Sequence, residues 1–460
     1  MIELFLFSGL GIFAMVSEIL NFRKAIYAVS LLGLAAILFF CFQNWGHTDN
    51  VNAMNMIVVD NYARAFTAVF ASTAFAWLLM AKSYFEDETN MSDHFALVLF
   101  ALVGGFMLVS FQNMTMLFLG VEVLSIPLYV LVGSRKTDLA SNEGAFKYFL
   151  MGAFASAFLL FGIAFVYGAT GSFDITKIGE YVSNSAGHLS PLFIVGTLMI
   201  LIAMAFKVGA VPFHFWTPDV YQGAPTLITA FMATIVKTVA FAAFFRLFIH
   251  SFAGAQSHFS DILWAIAALT ILLGNLGAVM QNDVKRTFAY SSIGHAGFMM
   301  IGVLVLNNNA DQAILYYAAA YSSATLAAFM VLHLVSTANG GNTSIASFNG
   351  LVKREPLLAG TMTLALLSMS GIPPLSGFFA KYSIFINAMS NGFVALTIIG
   401  ILGSLIGVYY YFKILIAMFV GEASDKSAIQ LTTAQKALLI AFNLIIILLG
   451  LMPQWVLTMI

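Results

Sequence analysis

Along most of the chain the apolar positions run on in unbroken blocks, separated by short polar connections. An α-helix needs about 20 consecutive apolar residues to cross the hydrocarbon core of a bilayer. Fourteen stretches of that kind are present, approximately 4–20, 25–43, 62–82, 93–111, 113–132, 143–170, 190–216, 225–251, 259–281, 286–306, 312–337, 356–390, 393–420 and 434–451. Almost nothing remains for a soluble domain. The pattern predicts an all-α polytopic membrane protein of about 14 transmembrane helices.

Two of these stretches contain residues that a continuous membrane helix avoids. In "FKVGAVPFHFWTPDVYQGAP" (206–225) a lysine, a histidine and three prolines interrupt an apolar run. "GAVPFHFW" (209–216) is echoed in outline by "GIPPLSGFF" (371–379), and "FFRLF" (244–248) by "YFKIL" (411–415). Gly209 precedes Pro212 by three residues, and Gly371 with Pro373 and Pro374 repeats the spacing. The echoes predict two five-helix repeats, spans 4–8 and 9–13, each containing a broken helix. An odd number of helices per copy makes the copies inverted. The expected organisation is three N-terminal helices in 1–92, repeats in 93–251 and 259–420, and a last helix in 421–460.

Inverted repeats with discontinuous helices are a transporter scaffold, with the ion path at the breaks. Non-helical backbone at membrane depth survives only where it is buried in protein or lines a wet cavity. The competing reading of either proline alone is a plain kink.

Composition supports the membrane reading: 61% of the residues are hydrophobic and 8% charged, against about 25% charged in soluble domains. A net charge of −1 offers no basic patch for nucleic acid. The lone Cys41 excludes an intrachain disulfide and a thiolate-held zinc or iron–sulfur site, which need several ligands. Neither a dinucleotide fingerprint nor a P-loop is present. No cofactor or metal is therefore expected in this chain. The N-terminus lacks the basic region and cleavage site of a secretory signal and reads as a retained helix.

Six of the 19 basic residues fall within spans: Lys147, Lys207, Lys237, Arg246, Lys381 and Lys413. Eleven (Arg23, Lys24, Lys82, Arg135, Lys136, Lys285, Arg286, Lys353, Arg354, Lys426 and Lys436) lie in or beside odd-numbered loops, against Arg64 and Lys177 for the even ones. The positive-inside rule puts both termini on the outer side.

Intramembrane charges cost about 2.5–3.5 kcal/mol each on insertion scales and mark proton or ion routes. Glu122, Lys207, Lys237, His295 and Lys381 fall at similar depth, which suggests a path along the membrane plane. Glu122 is the only acid well inside any span, and a lysine is its natural partner. Burial favours the neutral form of such a group and pairing the charged one, so a lysine held between the two can relay a proton. A static Glu122–Lys207 ion pair is the alternative. Lys147 stands one turn from Glu143 and is either a station or an i,i+4 pair. His214 lies at the break as a relay or a cap for backbone carbonyls, and His333 reads as structural. Arg246 and Lys413 are expected to snorkel to the two interfaces.

The stretches "LGVEVLSIPLYVLVG", "EGAFKYFLMGAFASAFLLFGIAFVYGATGS", "FKVGAVPFHFWTPDVYQGAPTLITAFMATIVKTVAF", "NDVKRTFAYSSIGHAGFMMIG" and "LLSMSGIPPLSGFFAKYSIF" resemble the antiporter-like subunits of respiratory complex I. The resemblance is closest to subunit N of bacterial NADH-quinone oxidoreductase, the counterpart of mitochondrial NADH dehydrogenase subunit 2. Lys381 stands where subunit M has a glutamate, and the chain stops without the long lateral helix of subunit L.

The resemblance implies a 14-helix fold and proton translocation through Glu122, Lys147, Lys207, Lys237, His295 and Lys381. It makes this chain a redox-free part of a translocase, with NADH, flavin, iron–sulfur clusters and quinone in partner subunits. It implies subunits M, J and K as neighbours, and the bacterial inner membrane with periplasmic termini. A subunit of an Mrp-type sodium/proton antiporter is the alternative, and a membrane spacer whose buried charges only lock helices is a third reading.

Overall fold

The computed structural model describes residues 1–20, 22–50, 55–86, 91–185, 188–307, 309–422 and 429–460; Lys426 lies outside them. Apart from one two-residue antiparallel pair, Asp49–Asn50 with Val58–Val59, regular structure among the described residues is helical. The chain begins with α1 (Ile2–Ser17), α2 (Ile26–Gln43), α3 (Asn61–Glu86), α4 (Met91–Ser110), α5 (Met114–Val132) and α6 (Leu139–Thr170). A short amphipathic α7 (Ile175–Asn184) leads to α8 (Pro191–Val208), α9 (Trp216–Gly223), α10 (Thr226–Phe231) and α11 (Lys237–Leu247). There follow α12 (Ser260–Val279), α13 (Val284–Val305), α14 (Ala310–Ala338), α15 (Leu351–Arg354), α16 (Pro356–Ser370), α17 (Ser376–Ser390), α18 (Val394–Val420), α19 (Thr433–Leu451) and α20 (Gln454–Leu457).

Twelve helices among the described residues are long and apolar enough to cross a membrane. The remaining two expected stretches take other forms. The first is a 16-residue α1. The stretch 356–390 divides into α16 and α17, and 190–216 likewise ends its helix at Val208.

Both interruptions are built alike. α8 ends at Gly209 (φ 73°, ψ 35°), where the Gly209 amide donates to Phe206 and the Ala210 amide to Ala205. α16 ends at Gly371 (φ 87°, ψ 40°), where the Gly371 amide donates to Ser368 and the Ile372 amide to Leu367. This is the Schellman pattern, which needs a left-handed residue that glycine supplies without a Cβ clash. The Val211–Pro212 and Pro373–Pro374 peptide bonds are both cis.

A second correspondence lies at the helix starts. Met114 at the start of α5 donates to Phe173, and Ile175 returns a bond to Gln112. Val284 at the start of α13 donates to Thr343, and Ile345 returns one to Asn282. Each pair staples the start of one long helix to the loop that follows the next.

Burial sorts the helices. Every residue from Thr226 to Phe248 is buried, and α13 nearly so, so these form the central staves. Helices α2, α6, α18 and α19 are largely uncovered and apolar, as befits faces turned to lipid or to other helices. A π-helical turn, Met232–Val236, leads directly into Lys237; such turns occur frequently at functional sites. The short α7 has no counterpart among the expected spans. Asp174 caps it through Thr176 and Lys177, and Ile175, Ile178 and Val182 are its buried face.

Candidate functional site

The apolar staves carry buried polar side chains that must find partners inside the protein, because lipid offers none. Lys207, in the last turn of α8, donates a 2.6 Å hydrogen bond to Ser125 on α5. Glu122 lies one turn earlier on α5, half-buried, and accepts a short hydrogen bond from Ser156 on α6. The static Glu122–Lys207 ion pair, the alternative to a relay, is therefore not formed. Glu122 and Ser125 leave α5 toward different neighbours, and Ser125 takes the place at the Lys207 ammonium. A cavity of about 20 Å³ lined by Ser125, Tyr129, Tyr148, Ser156 and Lys207 separates the helices here, enough for about one water.

Lys237, Lys381 and His295 come together across the centre. The Lys237 ammonium donates to the Ser292 hydroxyl at 2.6 Å and to the Ser292 carbonyl, and lies 5.9 Å from the Tyr321 ring centroid. Ser292 and His295 are one turn apart on α13. The His295 ring lies 4.7 Å from the Tyr321 ring, its Nδ1 meets the Tyr317 hydroxyl at 2.6 Å and its Nε2 the Tyr411 hydroxyl at 3.1 Å. Phe298, one turn on, contacts the His295 ring and carries Lys381 over its face at 5.0 Å. The Lys381 ammonium also donates to the Ser370 carbonyl at 3.0 Å, at the end of α16. Ammonium over an aromatic face is a favourable site for a charge withheld from water.

An aromatic run reaches from the Lys207 cavity toward this cluster. Tyr148 stacks on Trp216 at 4.7 Å, and Trp216 meets Tyr221 edge-on at 6.2 Å. Tyr221 in turn neighbours Ser292, the partner of Lys237. Trp216 is fixed by donating from its indole nitrogen to the Phe206 carbonyl.

Other expected stations lie apart. Lys147 is 38% exposed and bridges Glu143 at 2.6 Å and Asp219 at 2.7 Å, so the i,i+4 alternative forms and Asp219 extends it. Asp219 also meets Arg286 at 3.0 Å. Burial pushes the Asp219 carboxyl up, but its bonds to Lys147 and Arg286 outweigh this and hold it below the usual carboxylate range. His214 is half-buried on the loop after Gly209, its ring against Phe215, away from the central cluster. Pro212, Pro373 and Pro374 are exposed at the two breaks.

Arg246 departs from its expected snorkelling. It is 2% exposed, grips Asp60 with two hydrogen bonds of 3.2 and 3.0 Å and donates from Nε to the Phe111 carbonyl. A carboxylate within reach removes the need to climb to water. Lys413 donates to the Gln281 carbonyl and the Asn282 side chain at the end of α12. Lys285, read as a loop residue, is buried with its ammonium on the Gln222 and Ala224 carbonyls. Glu3 and Arg64, both fully buried, lie 3.9 Å apart. Their positions at helix ends hide them from a search for midspan charges.

Residues 112–407 match the family described as NADH:quinone oxidoreductase/Mrp antiporter, TM. NADH-quinone oxidoreductase subunit N of Cytophaga hutchinsonii is 43% identical over 98% of this chain and 97% of its own length. The protein of the same name from Flavobacterium psychrophilum is 44% identical over 98% of each. A chain of respiratory complex I from Thermus thermophilus is similar in structure with a TM-score of 0.85 and 31% identity, covering 99% of this chain and 98% of that one. With its buried lysines set beside paired helix breaks, and relatives alike from end to end, the chain belongs to the NADH-quinone oxidoreductase subunit N family.

Proposed function

We propose that this protein is the proton-translocating membrane subunit of an NADH-quinone oxidoreductase, moving protons while electron transfer from NADH to quinone proceeds in other subunits. The observation that carries this is the unbroken run of buried groups Lys237, Ser292, Tyr321, His295, Phe298 and Lys381. Such a run has no value to a mere spacer. Insertion of each ionisable side chain costs about 2.5–3.5 kcal/mol, and packing alone is served as well by apolar residues of similar size.

In this reading protons load from the cytoplasm toward Lys207, whose proton affinity Glu122 tunes from one turn along α5 while Ser125 holds the ammonium by contact. They pass by way of Lys237 and His295 to Lys381. The tyrosine hydroxyls on His295 orient its ring, and Ser292 holds Lys237 one turn away. Lys147 serves the inner entrance from its bridge to Asp219, and His214 the wet side of the first break. A change in the Glu122–Lys207 separation drives the proton on.

The fold in this reading has 14 transmembrane helices, α1 and the broken α16–α17 each crossing once. Three N-terminal helices in 1–92 and a last helix in 421–460 flank inverted repeats in 93–251 and 259–420. Two matched features support the repeats: the Schellman ends at Gly209 and Gly371, and the reciprocal staples at α5 and α13. Under the orientation given by the basic residues, these staples lie on opposite sides, as inversion requires.

The protein would sit in the bacterial inner membrane with both termini periplasmic, beside subunits M, J and K. The NADH, flavin, iron–sulfur clusters and quinone belong to partners. The Mrp alternative has less support, since the relatives matching nearly the whole chain are subunit N proteins. The test is Lys207→Ala in an assembled complex. Loss of both quinone reduction and pumping is expected; full retention of both refutes the role of Lys207.

A further inference from the structure

We infer that the cavity at the outer ends of α3, α11 and α14 is the mouth through which protons leave this subunit, with Asp311 as the last acceptor before outer solvent. This rests on the proton-translocating reading above and places an exit that reading leaves open.

The cavity measures about 390 Å³ and is lined by Asp60, Tyr62, Arg246, His250, Asn307 and Asp311. The spaces at Lys207 and His295 measure about 20 and 10 Å³. A cavity of about 280 Å³ opens at Lys381 itself, lined by Ser370, Gly371 and Tyr382; it and the 390 Å³ cavity both have room for a body of water, but only the latter is lined by acidic side chains. All six residues lie near even-numbered loops, which the basic-residue count assigns to the outer side.

An amide pair joins this cavity to the Lys381 station. Asn307 donates to Asn387 at 3.0 Å and Asn387 donates back to Asn307 at 3.2 Å. Asn387 is on α17 with Lys381, and six residues at about 1.5 Å rise put it about 9 Å farther toward the outer side. Carboxamides neither take up nor lose a proton here. They present donors and acceptors side by side on the helix that carries Lys381 and at the edge of the cavity.

Within the cavity the acids are not equivalent. Asp60 is committed to Arg246 by two hydrogen bonds and to the Ala63 amide. Asp311 accepts from the Gln312 amide at 2.7 Å and forms no ion pair among the described residues. The charged and titratable groups facing it are Asp60, Arg246, Tyr62, the exposed His250 and the terminal carboxylate of Ile460, which accepts from the Gln312 side-chain amide at 3.0 Å. A proton leaving Lys381 therefore meets Asp311 as the aspartate of this cavity that no ion pair holds among the described residues.

The test uses inside-out membrane vesicles containing the whole complex, whose lumen faces this mouth and whose lumen pH is set by the loading buffer. Asp311→Asn should lose most pumping per NADH oxidised at unchanged complex content, with a residual rate that no longer follows lumen pH. Asp311→Glu should restore pumping with a displaced lumen-pH profile, which a packing role would not produce. Full pumping by D311N with the original profile overturns the inference, provided that Lys381→Ala abolishes pumping. If K381A pumps fully, the translocation reading itself fails. Should D311N not assemble, Asn387→Leu decides: loss of pumping supports the mouth, and full pumping overturns it.

Discussion

Lys207 on α8 gives its hydrogen bond to Ser125 on α5, at 2.6 Å, while Glu122 one turn away on the same helix accepts from Ser156. The acid and the lysine thus communicate across a hydroxyl and a small cavity rather than by contact. That arrangement lets each change partner without breaking a buried ion pair, a loss that costs about 3–5 kcal/mol.

Removing the hydroxyl tests this. Ser125→Ala leaves a buried donor without its acceptor, a cost of about 1–3 kcal/mol or more for a charged group. Quinone reduction and pumping should both fall in S125A membranes, and Ser125→Thr should recover most of each. In a double-mutant cycle S125A and E122Q should be non-additive; strictly additive losses would assign the two residues to separate tasks.

The two helix breaks depend on their glycines. At Gly371 a side chain meets a φ of 87° and a Cβ placed 3.1 Å from Cδ of Lys381. The left-handed backbone costs an L-residue about 1–2 kcal/mol, and the crowding pushes on Lys381 itself. Gly371→Ala should lower the amount of assembled complex and its pumping per NADH. Gly360→Ala, on the same α16 with open space around it, should leave both unchanged or gain about 1 kcal/mol of helix stability. Native gels and pumping assays on the pair read this out; equal behaviour would remove the break from the mechanism.

The buried lysines are legible in one dimension because a charge inside an apolar run stands out whatever surrounds it, as at Lys207, Lys237 and Lys381. The breaks are legible for the same reason, glycine and proline being marks on the chain itself. Partnership is not. Arg246 reads as a snorkelling residue until folding brings Asp60 to it across 186 positions. Lys285 reads as a loop charge until the end of α9 turns its carbonyls toward it. Glu122 and Lys207 each look like the other's best partner, because hydroxyls such as Ser125 carry no signal amid so many serines. The short α7 escapes a search tuned to membrane-length runs, although Asp174 and the spacing of Ile175, Ile178 and Val182 are a cap and a face.

Lys147 should behave unlike Lys207. Its ammonium is 38% exposed and shared between Glu143 and Asp219, and exposed pairs contribute about 0–1 kcal/mol. Salt screens such pairs over about 8–10 Å at physiological ionic strength. Lys147→Ala should reduce activity less than Lys207→Ala, and raising ionic strength should narrow the difference between K147A and the unsubstituted protein. A K147A complex as inactive as K207A at every salt concentration would move Lys147 from the entrance into the central relay.

Asp60 sets an acid limit on stability. It stands just ahead of α3, 29% exposed, against an Arg246 that is 2% exposed. Burial pushes its carboxyl up, but the Arg246 guanidinium outweighs this and leaves it below the ordinary carboxylate range. A group whose folded value is depressed binds its proton more readily when unfolded. Its stabilisation is therefore complete above the unfolded value, about 3.9 for aspartate, and is lost as pH falls through the folded value. Asp60→Asn removes the charge and leaves Arg246 buried with an uncharged partner, costing about 3 kcal/mol, the low end for a broken buried pair because Asp60 keeps some water. Thermal unfolding of the purified complex should show D60N less stable near neutral pH. It should also lose less of its stability than the unsubstituted protein between about pH 5 and pH 2. Parallel acid profiles for the two would mean that the Asp60–Arg246 pair does not hold this end of the fold.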